Sequence, residues 1–146
     1  MSDSRNSQND ASGDAIARAV EASGNSVLAR KIVKDDKRML DSAFDEMMST
    51  GCNAIIFTGG TGITSRDLTY ETIALRLEKR IDGFGELFRF ISYAEIGSAA
   101  MMSRAFGGIA GRTIVFCLPG SPDGAMLAME KLILPEIGHL VREAKR

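Results

Sequence analysis

Ala54-Ile55-Ile56-Phe57-Thr58-Gly59-Gly60-Thr61-Gly62 is the stretch on which the fold turns. Its first five residues form an apolar run without polar alternation, which predicts a strand covered on both faces, as in a parallel sheet flanked by helices. The glycines that follow let backbone N–H groups approach and surround an anion. No Lys stands where a Walker loop needs one, and the glycines do not open directly into a helix as the dinucleotide fingerprint does. Taken alone, the tetrad reads equally as a tight strand-to-loop turn. Its sequel, Ile63-Thr64-Ser65-Arg66-Asp67, adds a cation that can fork onto phosphate beside a carboxylate that can hold a metal. Together they point to phosphate and metal.

On the amino-terminal side, Asp36 is placed to cap a helix carrying Met39, Leu40, Ala43, Phe44, Met47 and Met48, which Gly51 ends. Val27, Leu28, Ile32 and Val33 before it read as a strand. Residues 1–12 are a polar leader, after which Ser12 is expected to cap a helix with Ile16 and Val20 that stops at Gly24. On the carboxyl-terminal side, Thr69 is expected to cap a helix with Ile73 and Leu77. Gly83 to Gly85 should break the chain before Glu86 to Ile91, and a short helix is predicted near 98–106. The glycines of 107–111 read as a turn. Thr113 to Leu118 is a second doubly buried strand, and Pro119-Gly120-Ser121-Pro122 leads to a closing helix that Pro135 restarts or kinks. Strands alternating with helices, with no internal repeat, predict one α/β domain over 1–146 with ligands beyond the strand carboxyl ends.

Composition narrows the function. The chain has 146 residues, 18 Lys and Arg against 19 Asp and Glu, and a formal charge of −1. No overall electrostatic excess draws it to nucleic acid or an anionic membrane. The apolar runs are too short to cross a bilayer and the amino terminus lacks a signal-peptide core, so a cytoplasmic protein is expected. Cys52, Cys117 and His139 lie too far apart for a zinc site. The eight methionines fall mostly on helical patterns and are assigned to the core.

The two aspartates at 35 and 36 follow the first strand-like patch, at the same end of the sheet as the glycine loop if the strands run parallel. Asp36 suits the cap, which leaves Asp35 to reach the site, although position alone also allows both to be caps. Pro119, Gly120, Ser121 and Pro122 follow the other buried strand in the same way, either as a rigid turn or as the second wall of one pocket.

Taken together, Thr58 to Gly62, Arg66-Asp67-Leu68-Thr69, Gly83-Phe84-Gly85-Glu86, Phe90-Ile91-Ser92-Tyr93, Ile96-Gly97 and Leu118 to Pro122 resemble the molybdopterin adenylyltransferase family, the MogA/MoaB group. The resemblance spans the chain from Ser2-Asp3-Ser4-Arg5 to Leu132-Ile133-Leu134-Pro135-Glu136. It implies a three-layer α/β sandwich with a mostly parallel sheet, assembled as homotrimers or dimers of trimers. It also implies a reaction in which ATP and molybdopterin give adenylylated molybdopterin and pyrophosphate. Carried onto these residues, the family's metal-associated carboxylates fall on Asp35 and Asp67, which would hold Mg²⁺ on the ATP phosphates. Gly59, Gly60, Thr61 and Gly62 would bind phosphate or pterin beside Arg66, with Pro119, Gly120, Ser121 and Pro122 opposite. Asp3, Ser4, Gly13, Glu86 and Ser92 match weaker positions bordering the pocket.

Three departures accompany the match. Lys34 replaces a proline before the first aspartate, and Tyr70 replaces one in Thr69-Tyr70-Glu71; neither removes a functional group. In addition, a hydrophobic strand precedes Ser-Asp-Ser-Arg in relatives, and only Met1 precedes it here. This is read as a start codon assigned too far downstream, leaving the sheet short of a central strand. A pterin carrier without transferase activity is the main alternative function. The two carboxylates argue against it, and a nucleotide-dependent oxidoreductase lacks its fingerprint loop.

Overall fold

Thr113–Leu118 (β4) is buried along its whole length, as its unbroken apolar run predicts. In the computed structural model, which describes residues 8–146, Ile114, Phe116 and Leu118 face one hydrophobic cluster and Val115 and Cys117 the other. That alternation is the two-residue period of a strand with both faces covered. The first cluster is closed by Ala11–Ala22 (α1), Asp82–Ile96 (α4), Pro122–Ala128 (α5) and Leu134–Ala144 (α6). Lys37–Ser49 (α2) and Thr69–Ile73 (α3) close the second, bringing Phe44 and Ile73 against Phe57 and Val115. Helices on both sides of one sheet make the expected three layers.

Among the described residues the sheet has four strands, in the order β1 (Ala54–Thr58), β4, β3 (Phe106–Ala110) and β2 (Lys79–Arg80). Only β1 and β4 pair in parallel; β3 runs antiparallel to both β4 and β2, so the sheet is mixed rather than mostly parallel. The difference arises in 107–111, which was expected to be a turn. Gly107 and Gly108 lie inside β3, where a Cβ on Gly107 would stand 2.8 Å from the Phe116 ring. Only Gly111, at φ +59°, makes the hairpin turn into β4. Glycines demanded by close packing resemble glycines demanded by a turn until the neighbours are known.

Other boundaries move for similar reasons. Asp10, not Ser12, caps α1, accepting from Gly13 N, while the Ser12 hydroxyl donates to Gly120 O at 2.6 Å. Asp36 caps α2 as expected, accepting from Met39 N at 3.0 Å. Thr69 is the first residue of α3 rather than its cap. Gly83 and Gly85 sit within α4 instead of breaking the chain, and the helix foreseen near 98–106 is a 3₁₀ turn, Gly97–Met102, followed by β3. Ahead of Pro135 a π-helical turn, Met129–Ile133, joins α5 to α6, which resets the helix where proline withholds its N–H.

Two corrections concern β1 and its surroundings. Residues 25–34 form no strand, although Val27, Leu28 and Ile32 are apolar; all three are exposed. In β1 itself Ile55 and Phe57 are buried but Ala54, Ile56 and Thr58 only half so, because β1 is an edge of the sheet among the described residues. The methionine assignment divides as well. Met129 is buried, whereas Met39, Met101 and Met102 are exposed. Among the described residues no helix is long and apolar enough to cross a membrane.

Candidate active site at the glycine loop

The carboxyl ends of β1 and β4 lie side by side, since the strands are parallel and in register from Ala54 with Ile114 to Thr58 with Leu118. The two loops foreseen as facing walls therefore leave the sheet together. Gly59 N donates to Leu118 O at 2.9 Å and Thr58 Oγ1 to Pro119 O at 2.8 Å, which ties one loop to the other. Gly59 and Gly60 adopt φ of +103° and +67°, a region closed to most side chains.

Two residues fix the shape of this loop: Thr69, read in the sequence only as a helix cap and part of the family motif, and Arg104, which the sequence reading did not single out. Thr69 Oγ1 donates to Gly59 O at 2.8 Å and Thr69 N to Gly60 O at 3.0 Å, so the start of α3 holds the glycines from below. Arg104 donates its backbone N–H to Thr61 O at 2.9 Å and its Nε to Gly62 O at 2.7 Å, and its guanidinium also reaches Asp67 O and pairs with Glu71. With these carbonyls engaged from behind, the far side of the loop is left to a ligand. Arg104 escaped notice because it is a single cation in a stretch without a motif; only the fold brings it to residues some forty positions earlier.

Asp35 and Asp67 both border the loop. A Cβ placed on Gly60 would lie 3.1 Å from Asp35 Oδ1, and one on Gly62 would lie 2.8 Å from Asp67 Oδ2. At Gly62 the Asp67 carboxylate itself leaves no room for a side chain, while at Gly60 Thr69 Oγ1 is the nearer obstacle and Asp35 the next. Asp67 Oδ2 accepts from Thr64 N at 2.8 Å and from Thr64 Oγ1 at 2.7 Å. Burial pushes its pKa up, but these bonds, one from Gly62 N and the field of Arg104 outweigh that and hold it below the usual carboxylate value. Asp67 is an anion at neutral pH. Arg66 is exposed beside it, its N–H bonded to Thr64 Oγ1 at 3.3 Å. Among the described residues no cluster of three or more His, Cys, Asp or Glu could hold a metal.

The remaining expected residues divide. Pro119 and Gly120 lie at the shared end of the strands, and Gly120 O is held by Ser12. Ser121 caps α5, its Oγ accepting from Gly124 N at 3.2 Å, and Pro122 is the first residue of that helix. Gly13 belongs to the α1 cap, where a Cβ would collide with Asp10 and stand 2.8 Å from the Arg30 guanidinium. Glu86 and Ser92 are on α4, and no hydrogen bond among the described residues joins either to the glycine loop. Asp3 and Ser4 lie outside the described residues.

A helix–sheet–helix domain with a pinned glycine loop between two carboxylates, at the carboxyl ends of a parallel strand pair, is an α/β domain built to bind a ligand beyond its sheet. The comparisons with known proteins agree. A family profile described as "Probable molybdopterin binding domain" matches residues 1–139. Molybdenum cofactor biosynthesis protein B of Bacillus cereus is 47% identical over 148 residues, covering 100% of this chain and 88% of the relative. A crystal structure of a molybdenum cofactor biosynthesis protein B superposes with a TM-score of 0.94 at 47% identity, over 99% of this chain and 91% of that one. The tungsten cofactor synthesizing protein MoaB from Pyrococcus furiosus gives 0.89 at 37% identity, over 94% and 87%. The chain belongs to this molybdopterin-binding family of cofactor biosynthesis proteins, the MoaB/MogA group.

Proposed function

We propose that this protein transfers the adenylyl group of ATP to molybdopterin. In the reaction a terminal phosphate oxygen of the pterin attacks the α-phosphorus of ATP, one P–O bond forms, the bond to the β-phosphate breaks, and pyrophosphate leaves. Three anionic groups must be aligned, so positioning and charge neutralisation dominate the barrier. The observation that carries the proposal is the pair Asp35 and Asp67, which border Gly60 and Gly62 on a loop whose carbonyls from Gly59 to Gly62 are already bonded.

Two carboxylates without a full protein cage suit Mg²⁺, which binds through one or two carboxylates and completes its shell with waters and substrate phosphates. Bound there it would neutralise charge on the ATP phosphates. Asp67, kept anionic by Thr64, supports that role, while Gly60 and Thr61 offer the loop's remaining backbone N–H groups to phosphate, those of Gly59 and Gly62 being bonded to Leu118 O and Asp67, and Arg66 offers an exposed cation. Pro119, Gly120 and Ser121 supply the opposite wall.

Pyrophosphate release from ATP and molybdopterin, followed with the purified protein, tests the reading. Turnover is expected with Mg²⁺, and Asp67→Asn should lower kcat on the order of 10²-fold or more, since it removes a charge at little change in volume. Pterin binding with no pyrophosphate from the unaltered protein would make it a carrier and overturn the proposal.

A further inference from the structure

The N–H groups of Gly60 and Thr61 and the carboxylate of Asp67 lie on one loop, but different residues hold them. Peptide bonds among the described residues are trans, so a carbonyl and the N–H that follows it point to opposite sides. Thr69 takes the Gly59 carbonyl with its hydroxyl and the Gly60 carbonyl with its N–H. The N–H groups of Gly60 and Thr61 are thereby turned away from α3. Neither is bonded among the described residues.

The second half of the loop depends on Arg104. Its Nε donates to Gly62 O and its Nη2 to Asp67 O at 3.3 Å, so one guanidinium closes both ends of the segment from 62 to 67. Inside that segment the Asp67 carboxylate accepts from Thr64 and from Gly62 N. The guanidinium is itself oriented, by the Glu71 carboxylate and by the Tyr70 ring, whose centroid lies 5.1 Å from Cζ. The backbone on either side is fixed from α4, where Arg89 Nη1 donates to Ser103 O at 3.3 Å and Ala105 O at 3.0 Å. The first three residues of α3 therefore reach the whole loop, Thr69 directly and Tyr70 and Glu71 through Arg104.

We propose that Thr69 and Arg104 are positioning residues with separate tasks: Thr69 aims the N–H groups of Gly60 and Thr61 at the nucleotide phosphates, and Arg104 sets the Asp67 carboxylate beside them. The choice of ATP as ligand rests on the adenylyl-transfer reading. The division of labour is read from binding and does not need turnover.

Calorimetry with the full chain measures ATP affinity once in EDTA and once with Mg²⁺. Thr69→Val keeps the shape and loses the hydroxyl, and should weaken ATP about ten-fold in both conditions. Thr69→Ser keeps the hydroxyl and should stay within about two-fold of the parent. Arg104→Gln should hold the affinity in EDTA within about two-fold but lose most of the gain from Mg²⁺, as Asp67→Asn should. Arg104→Lys should behave like Arg104→Gln, because an ammonium does not reproduce the planar fork across Gly62 O, Asp67 O and Glu71. Unfolding midpoints accompany each variant; Thr69→Ala and Glu71→Gln carry the same two arms if Thr69→Val or an Arg104 variant fails to fold. In turnover, Thr69→Val should act on KM and Arg104→Gln on kcat. A parent that releases no pyrophosphate would remove adenylyl transfer, while the binding arms would still decide this proposal. Parent-like binding by Thr69→Val, a parent with no gain from Mg²⁺, full gain in Arg104→Lys, or equal weakening by both variants in both conditions would each overturn it.

Discussion

Asp35 and Asp36 are adjacent, yet the structure gives them different work. Asp36 Oδ1 accepts from Met39 N at 3.0 Å, closing the first turn of α2, whereas Asp35 Oδ1 lies against Gly60. Asp36→Ala should cost about 1 kcal/mol of stability, read from a denaturant midpoint, and leave turnover within two-fold. Asp35→Asn should do the reverse, holding the midpoint and lowering turnover on the order of 10²-fold. If Asp36→Ala abolished turnover and Asp35→Asn did not, the assignment of the two would be exchanged. Asp67 adds a pH dependence of known sign. Its carboxyl is held below its ordinary value by Thr64 and Gly62 after burial has acted against them, so its share of stability is present above the ordinary carboxylate pKa. That share is lost as pH falls through the lowered one.

At the scale of an element, α4 shows why glycine is ambiguous in a sequence. Gly83 and Gly85 are both helical, but a Cβ at 83 meets nothing within 4 Å while one at 85 would stand 2.9 Å from Ala105 O. Alanine is the better helix former by about 1 kcal/mol, and overpacking against a backbone carbonyl costs roughly 1 to 3 kcal/mol. Gly83→Ala should therefore raise the unfolding midpoint and Gly85→Ala lower it. Equal shifts from both would mean that the carbonyl yields to the added methyl. The reading of 83–85 as a break failed because close approach and flexibility call for the same residue.

For the whole molecule, the outer face of α4 and the following 3₁₀ turn expose Leu87, Phe90, Tyr93, Ile96 and Met101, with Phe90 at 76% and Met101 at 77% exposure. A continuous apolar face of this kind marks an interaction surface. It fits the homo-oligomer that the family resemblance implies, with this face as the expected contact between copies. Light scattering coupled to gel filtration should give a multiple of the chain mass for the parent protein and the monomer mass for Phe90→Asp, with far-UV circular dichroism unchanged. A monomeric parent at micromolar concentration would remove this face from the account.

Local chemistry determined several features without the fold. The apolar run of β4 from Ile114 to Leu118 announces two-sided burial because neither face alternates with polar residues. Asp36 caps α2 because the bond to Met39 N spans only three residues, and the glycine loop after β1 follows from the steric freedom of φ above zero. Other features depend on distant atoms. Whether 107–111 turns or pairs is decided by Phe116 and Lys79, and whether Val27 to Val33 is a strand depends on a neighbour for it to bond with, since a strand is stabilised by its partner and not by its own residues. Arg104 acquires its place only when β3 brings it beside Thr61 and Gly62, and Thr69 when α3 rises under Gly59. Hydrogen bonds across tens of residues leave no periodic trace in the sequence, so the chain's own order shows the glycine loop, and only its tertiary structure shows what holds that loop in place.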